Sequence, residues 1–260
     1  EEGLDVMCDV YPYTAGSTQL IHVLPPEFQA GGTEMLTKRL RDRCARGEMR
    51  ARMETGSDFE NITLLVGFEN VVAIGLKTEE YRRFEGKSIA EIALSLGKDP
   101  FDALFDLLAA EDCEAGMIDF ISDEQDLRDI LRAPFSGVIS DATYPGTGQV
   151  HPRVYGAFAR LIEKYVVQEK LLTLEQAVHK VTLQASERFS LAGKGKIETG
   201  ADADLLLFDP ENIREKGTYL APGVCAAGFD EVFVLGGRVI ENGAYRGGRN
   251  GEMLGLRAGF

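Results

Sequence analysis

Gly137-Val138-Ile139-Ser140-Asp141 decides the fold class. A short, mostly apolar run follows Pro134, fits a buried strand, and leads at once into an acidic residue. A glycine-containing loop comes next, Tyr144-Pro145-Gly146-Thr147-Gly148. In parallel α/β architectures the loops beyond the C-terminal strand ends converge on one cavity, so chemistry collects there. A carboxylate at Asp141 can hold a metal or move a proton, or it can serve as a turn or helix-cap residue. Ten residues on, His151-Pro152-Arg153 precedes a helix. The Arg153 fork suits bidentate capture of a carboxylate; the alternative is a surface arginine with His151 as a local cap.

Upstream, Leu4 to Val10 reads as a buried strand closed by Pro12, and Thr14 to Thr18 as a small polar loop at its C-terminal end. Tyr11 and Tyr13 bracket Pro12, with Ser17 beyond. Phenol and hydroxyl donors beside an arginine would complete an anion site, whereas a packed aromatic pair and a turn serine would be purely structural.

The intervening chain reads as a helix from Thr33 to Ala51, with Leu36, Leu40 and Cys44 on one face, and as strands over 61–68 and 71–76. Capping boxes start helices at Ser88 and Ser122, and Asp99-Pro100 starts another. Helices are expected from Tyr155 to about Glu169 and again from Thr173, where Leu174, Ala177, Val178, Val181 and Ala185 repeat with helical period. Near Gly193 the texture changes to strands at 204–208, 231–235 and 238–241, with Gly236-Gly237 as a hairpin turn. The fold class is therefore α/β with a short all-β tail.

The chain has 260 residues, 44% hydrophobic and 27% charged, as in ordinary globular proteins. Its formal charge of −14 argues against nucleic acid as a partner. The densest basic stretch, Lys38 to Arg52, reads as a solvated helix face. No apolar run approaches the roughly 20 residues that span a bilayer, and no secretory leader is recognisable. Cys8, Cys44, Cys113 and Cys225 are scattered without a C-x-x-C pair, which fits a reducing cytoplasm. The chain opens without Met and enters a strand-like segment abruptly, so it is expected to be a piece of a longer protein.

Taken together, these segments carry a resemblance. Asp9-Val10-Tyr11-Pro12-Tyr13-Thr14-Ala15-Gly16-Ser17-Thr18 resembles a signature of the N-acyl-D-amino-acid deacylases, or D-aminoacylases. Ile139-Ser140-Asp141 with His151-Pro152-Arg153-Val154-Tyr155-Gly156-Ala157-Phe158 matches a second, and Gly195 to Leu205 matches a pattern common across the amidohydrolases. The likeness runs from residue 1 to about 253 and is faintest over 27–85.

The resemblance implies the last strands and helices of a (β/α)8 barrel over residues 1–192, interrupted by an inserted lid or side subdomain at about 27–120. Residues 193–260 would contribute to a small β-sandwich. It implies hydrolysis of the amide of an N-acyl-D-amino acid, dependent on zinc. Asp141 would be a metal ligand and the catalytic proton carrier; Tyr11, Ser17 and Arg153 would hold the substrate's α-carboxylate. The family's H-x-H pair is missing: the only histidines are His22, His151 and His179. The remaining ligands and the N-terminal half of the barrel are expected before Glu1, and the isolated chain is expected to be inactive. Two other readings stand beside this one: a dihydroorotase- or hydantoinase-like cyclic amidohydrolase, and a non-catalytic structural fragment.

Overall fold

The computed structural model describes residues 3–143 and 148–254. The chain begins with β1 (Cys8–Val10) and β2 (Gly16–Gln19), then α1 (Gly32–Arg41), α2 (Arg43–Thr55), α3 (Ile62–Val66) and β3 (Val71–Ile74). Next come α4 (Glu79–Arg82), α5 (Ile89–Leu96), α6 (Pro100–Ala110), β4 (Gly116–Asp119), α7 (Glu124–Arg132) and β5 (Ser136–Val138). Helix α8 (Arg153–Arg160) runs on as a π-helical segment, Leu161–Gln168, before α9 (Leu174–Val181) and α10 (Leu183–Arg188). The tail holds β6 (Leu205–Phe208), β7 (Phe229–Val234), β8 (Gly237–Glu241) and β9 (Ala244–Tyr245).

Strands β1 and β5 pair in parallel, Cys8 with Ser136, Asp9 with Gly137 and Val10 with Val138. The Ile139 N–H adds one more ladder bond to Val10 O at 2.9 Å. Both strands are shorter than the sequence suggests. Leu4 and Val6 are 75% and 68% exposed, so the first half of the expected strand has nothing to bury it.

A second sheet was only half foreseen. Gly16 to Thr18, read as part of a loop, form a strand with Gln19 because β4 lies antiparallel beside them, and β3 flanks β4 on the other side. Residues 61–68, read as a strand, form α3 instead. Asn61 decides this: its Oδ1 accepts from the Leu64 N–H, and its Nδ2 donates to Met53 O and Gly56 O. A buried cap with three backbone partners outweighs local β propensity.

Where start signals are local, the elements match. Ser88 and Glu91 make both bonds of a capping box, as do Thr173 and Gln176. Asp99 caps the helix that opens with Pro100. In place of the box expected at Ser122, Asp123 caps the helix alone, accepting from Gln125 N and Asp126 N. The expected helix over Thr33 to Ala51 breaks at Asp42, whose extended backbone lets its side chain cap α2. The helix from Thr173 breaks likewise at Thr182. The tail hairpin turns on Leu235 and Gly236, both with positive φ, so that Gly237 already belongs to β8. Two-residue loops of that shape match strand twist.

Two large hydrophobic clusters, with a small third of Ala15, Ile74 and Ile118, organise the chain. One gathers Leu20, Leu40, Met53, Ile92, Leu104 and Met117 among residues 20–117. The other gathers Leu131, Val138, Leu161, Tyr165 and Ala177 under β1 and β5. The basic stretch Lys38 to Arg52 is neutralised locally: Arg46 meets Asp102 and Asp106, and Arg52 meets Glu27 and Asp58. No helix among the described residues is long and apolar enough to cross a membrane.

The start of β5 is pinned from α9. Lys180 is only 6% exposed, and its Nζ donates to Ala133 O, Ser136 O and Ser136 Oγ. Burial holds its pKa below the ordinary lysine value. Lys180→Met would take this donor from Ser136 O and Ser136 Oγ, while Ala133 O keeps the Ser136 N–H and hydroxyl, at a cost of about 1–3 kcal/mol. We expect a lower urea midpoint at unchanged slope; an unchanged midpoint would show that the amine contributes nothing.

Candidate functional site

Parallel pairing points β1 and β5 the same way, so the residues after both strands emerge at one end. Tyr11 directly follows β1, and Asp141 lies three residues past β5 with a φ of 47°, a left-handed conformation that Asp adopts more readily than most residues. Helix α8 opens at Arg153 itself. The Arg153 side chain is 2% exposed, which rules out a surface arginine. Its Nη2 donates to Ser17 O at 3.0 Å and pairs with Asp141 Oδ2 at 2.9 Å. Its guanidinium carbon lies 4.7 Å from the Tyr11 ring centroid, a cation–π contact. All four expected site residues are thus gathered around one buried cation.

Their roles are unequal in this conformation. Asp141 is 52% exposed and open to an exchange of partner. The Tyr11 phenol is raised by burial, an effect the Arg153 charge partly offsets. Ser17 sits in β2 rather than in a loop, and its hydroxyl donates to Met117 O at 2.9 Å. It serves Arg153 through its backbone oxygen, and its hydroxyl must leave Met117 before it can donate to a ligand.

His151 is 2% exposed and uses both ring nitrogens: Nδ1 accepts the Arg153 backbone N–H at 2.9 Å, and Nε2 lies 3.0 Å from Ala15 O. That arrangement is the neutral tautomer with its proton on Nε2. Burial first, then the Arg153 charge, push the imidazole down to about 3. The local-cap reading of His151 is therefore met.

Three neighbours had no signal in the sequence pattern. The Tyr13 hydroxyl donates to Glu215 Oε1 at 2.6 Å, and Arg160 pairs with Glu215 Oε2 at 2.9 Å while its Nε donates to Pro12 O. Gly156 permits this packing, since a Cβ there would come 3.0 Å from the Tyr13 hydroxyl oxygen. Asp119, buried at the end of β4, faces Gly16, where a Cβ would sit 2.7 Å from Asp119 Oδ1. Burial raises its pKa.

A cavity of about 1160 Å³ opens beside the cluster, lined by Ser17, His151, Arg153, Ile74, Lys77 and Arg82 among others. It can admit a small molecule. A metal is a different matter. Among the described residues no three His, Cys, Asp or Glu side chains gather as a cation site would require. His22 is exposed, and His179 lies on the open face of α9. With both His151 nitrogens engaged, the expected ligand Asp141 has no partner ligands grouped with it among the described residues, and one carboxylate does not make a zinc site.

No protein-family model matches the chain. It is 38% identical to the N-acyl-D-glutamate deacylase of Alcaligenes xylosoxydans xylosoxydans over 151 residues, 58% of this chain and 30% of that protein. It is 34% identical to the D-aminoacylase of the same organism over 174 residues, 67% of this chain and 35% of that protein. The crystal structure of N-acyl-D-glutamate deacylase from Bordetella bronchiseptica, complexed with zinc and a phosphonate inhibitor, superposes with a TM-score of 0.71 at 28% identity. That superposition takes in 97% of this chain and 43% of the other. The chain thus spans about a third of the length of the curated relatives it matches. On this combination of sequence and fold, the chain belongs to the N-acyl-D-amino-acid deacylase (D-aminoacylase) family of amidohydrolases.

Proposed function

We propose that this chain is part of a metal-dependent hydrolase that cleaves the amide of N-acyl-D-amino acids to a carboxylate and a free D-amino acid. The observation that carries the reading is the buried Arg153 guanidinium, stacked on Tyr11 and paired with a half-exposed Asp141 at the edge of a cavity. A planar fork in a low-dielectric wall is suited to a carboxylate. A substrate's α-carboxylate would take up Arg153, with Tyr11 and Ser17 as its side donors. Fixing that end leaves the amide in one orientation over the site and favours one hand at the α-carbon.

Asp141 is assigned the proton. Released from Arg153 by the arriving carboxylate, it would accept a proton from the attacking water. A C–O bond forms at the acyl carbon as the C–N bond breaks, and Asp141 returns the proton to the departing amine. The zinc held by the Bordetella relative supports metal dependence. The described residues do not complete such a site, so the other ligands belong to polypeptide outside them.

The domain reading goes with this function. Residues 1–192 would supply the last part of a (β/α)8 barrel, with β1 and β5 as neighbouring strands and about 27–120 as an inserted subdomain with its own core. Residues 193–260 would supply part of a β-sandwich. In support of this, Leu205, Leu206 and Leu207 on edge strand β6 are 37%, 57% and 61% exposed, as a sheet lacking its second layer would be. Cys8, Cys44, Cys113 and Cys225 are all free, in keeping with a cytoplasmic setting.

In the full-length enzyme, Arg153→Lys should raise KM for N-acyl-D-amino acids by about one to two orders of magnitude, since an ammonium cannot reproduce the fork. An unaltered KM would remove the clamp. Asp141→Asn should lower kcat at least about a hundredfold with substrate binding retained; full turnover would end its role as proton carrier. Residues 1–260 alone should show no zinc-dependent deacylation, and activity from that piece would refute the incomplete site.

A further inference from the structure

We infer that His151 is a positioning residue for the substrate carboxylate: its neutral ring ties the Tyr11-to-Ser17 segment to the first turn of α8 and so sets the geometry of Arg153. The inference rests on the carboxylate clamp proposed above. Arg153 is held at two points. Its guanidinium is fixed by Ser17 O and the Tyr11 ring, and its backbone N–H is fixed by His151 Nδ1. The same imidazole reaches across to Ala15 O with its other nitrogen. Ala15 lies between Tyr11 and Ser17 and is fully buried. One five-membered ring therefore spans the two segments that supply the clamp.

The ring itself is held on three sides. Tyr13 and Tyr219 present T-shaped contacts at centroid distances of 4.9 and 5.2 Å, and Tyr11 a further one at 6.4 Å. A residue kept only for packing would need no polar atoms here, yet both ring nitrogens bond to backbone groups that water does not reach. The depressed imidazole pKa agrees with this, because a charged ring could not accept the Arg153 N–H.

The test compares two substrates in the full-length enzyme: an N-acyl-D-amino acid and its analogue with a primary amide in place of the α-carboxylate. His151→Ala should raise KM for the acid by about tenfold, with kcat changed far less, and should leave the amide analogue nearly unaffected. The ratio of kcat/KM for acid over amide therefore falls. His151→Asn, which keeps an acceptor near the Nδ1 position, should recover part of that ratio, whereas His151→Phe should not. A loss of folded enzyme lowers both substrates together and leaves the ratio unchanged. An unchanged ratio in the soluble variants overturns the inference, and the Asn variant keeps the test open should the Ala variant fail to fold. If the unmodified enzyme does not prefer acid over amide, the clamp has failed rather than His151.

Discussion

The parallel pairing of β1 with β5 is the constraint on which the site depends. Three residue pairs join them, with one further backbone bond at each end, Cys8 N–H to Phe135 O and Ile139 N–H to Val10 O. A pairing that short cannot stand by itself, and the helices around it hold it in place. Lys180 grips the start of β5 from α9, while Leu127 and Leu131 of α7 pack in the same cluster as Val138. Because the strands run the same way, Tyr11 and Asp141 emerge together. An antiparallel arrangement would send them to opposite ends, and Arg153 could not touch both.

Two arginines of this region, Arg153 and the quarter-exposed Arg160, differ in how their charge is met. Arg160 is neutralised by Glu215, which is 11% exposed and also accepts from the Tyr13 hydroxyl. The Glu215 carboxylate is mostly enclosed and multiply bonded, so removing Arg160 would leave it without its counter-charge. Arg153 is neutralised by Asp141 at 52% exposure. Water competes freely for that carboxylate, and its contribution is correspondingly small. One arginine has a mostly enclosed counter-charge and the other an exposed one, the contrast on which the proposed carboxylate clamp relies.

What the sequence disclosed followed from how local each signal is. Ser88, Asp99 and Thr173 mark helix starts because cap and partner lie within three residues. The Tyr11, Ser17, Arg153 and Asp141 cluster was legible as segments in order, and the fold brings them together. Strands β2 and β4 were not legible, because each is four residues long and is defined by a partner about a hundred positions away. Asn61 misled the reading of its neighbours, since apolar Ile62 to Val66 looks β-prone until the cap is seen to bond three backbone groups. Glu215 is separated from Tyr13 by 202 residues, a relation no periodicity encodes. Ser17 lies beside Arg153 through its backbone oxygen, yet its hydroxyl is held by Met117 O, a strand neighbour invisible from sequence.

The π-helical stretch after α8 carries its own consequence. Arg160 faces Pro12 and Glu215, whereas Lys164 and Tyr165, one turn later, face Glu124. In a π-helical turn an extra residue is accommodated, which resets the angular phase between the two groups by about 100°. Deleting a single position between 161 and 168 would restore an ordinary α-helix and swing one set of side chains off its neighbour. Length, and not only composition, is therefore under constraint in this stretch: aligned relatives should tolerate substitutions there far better than gaps.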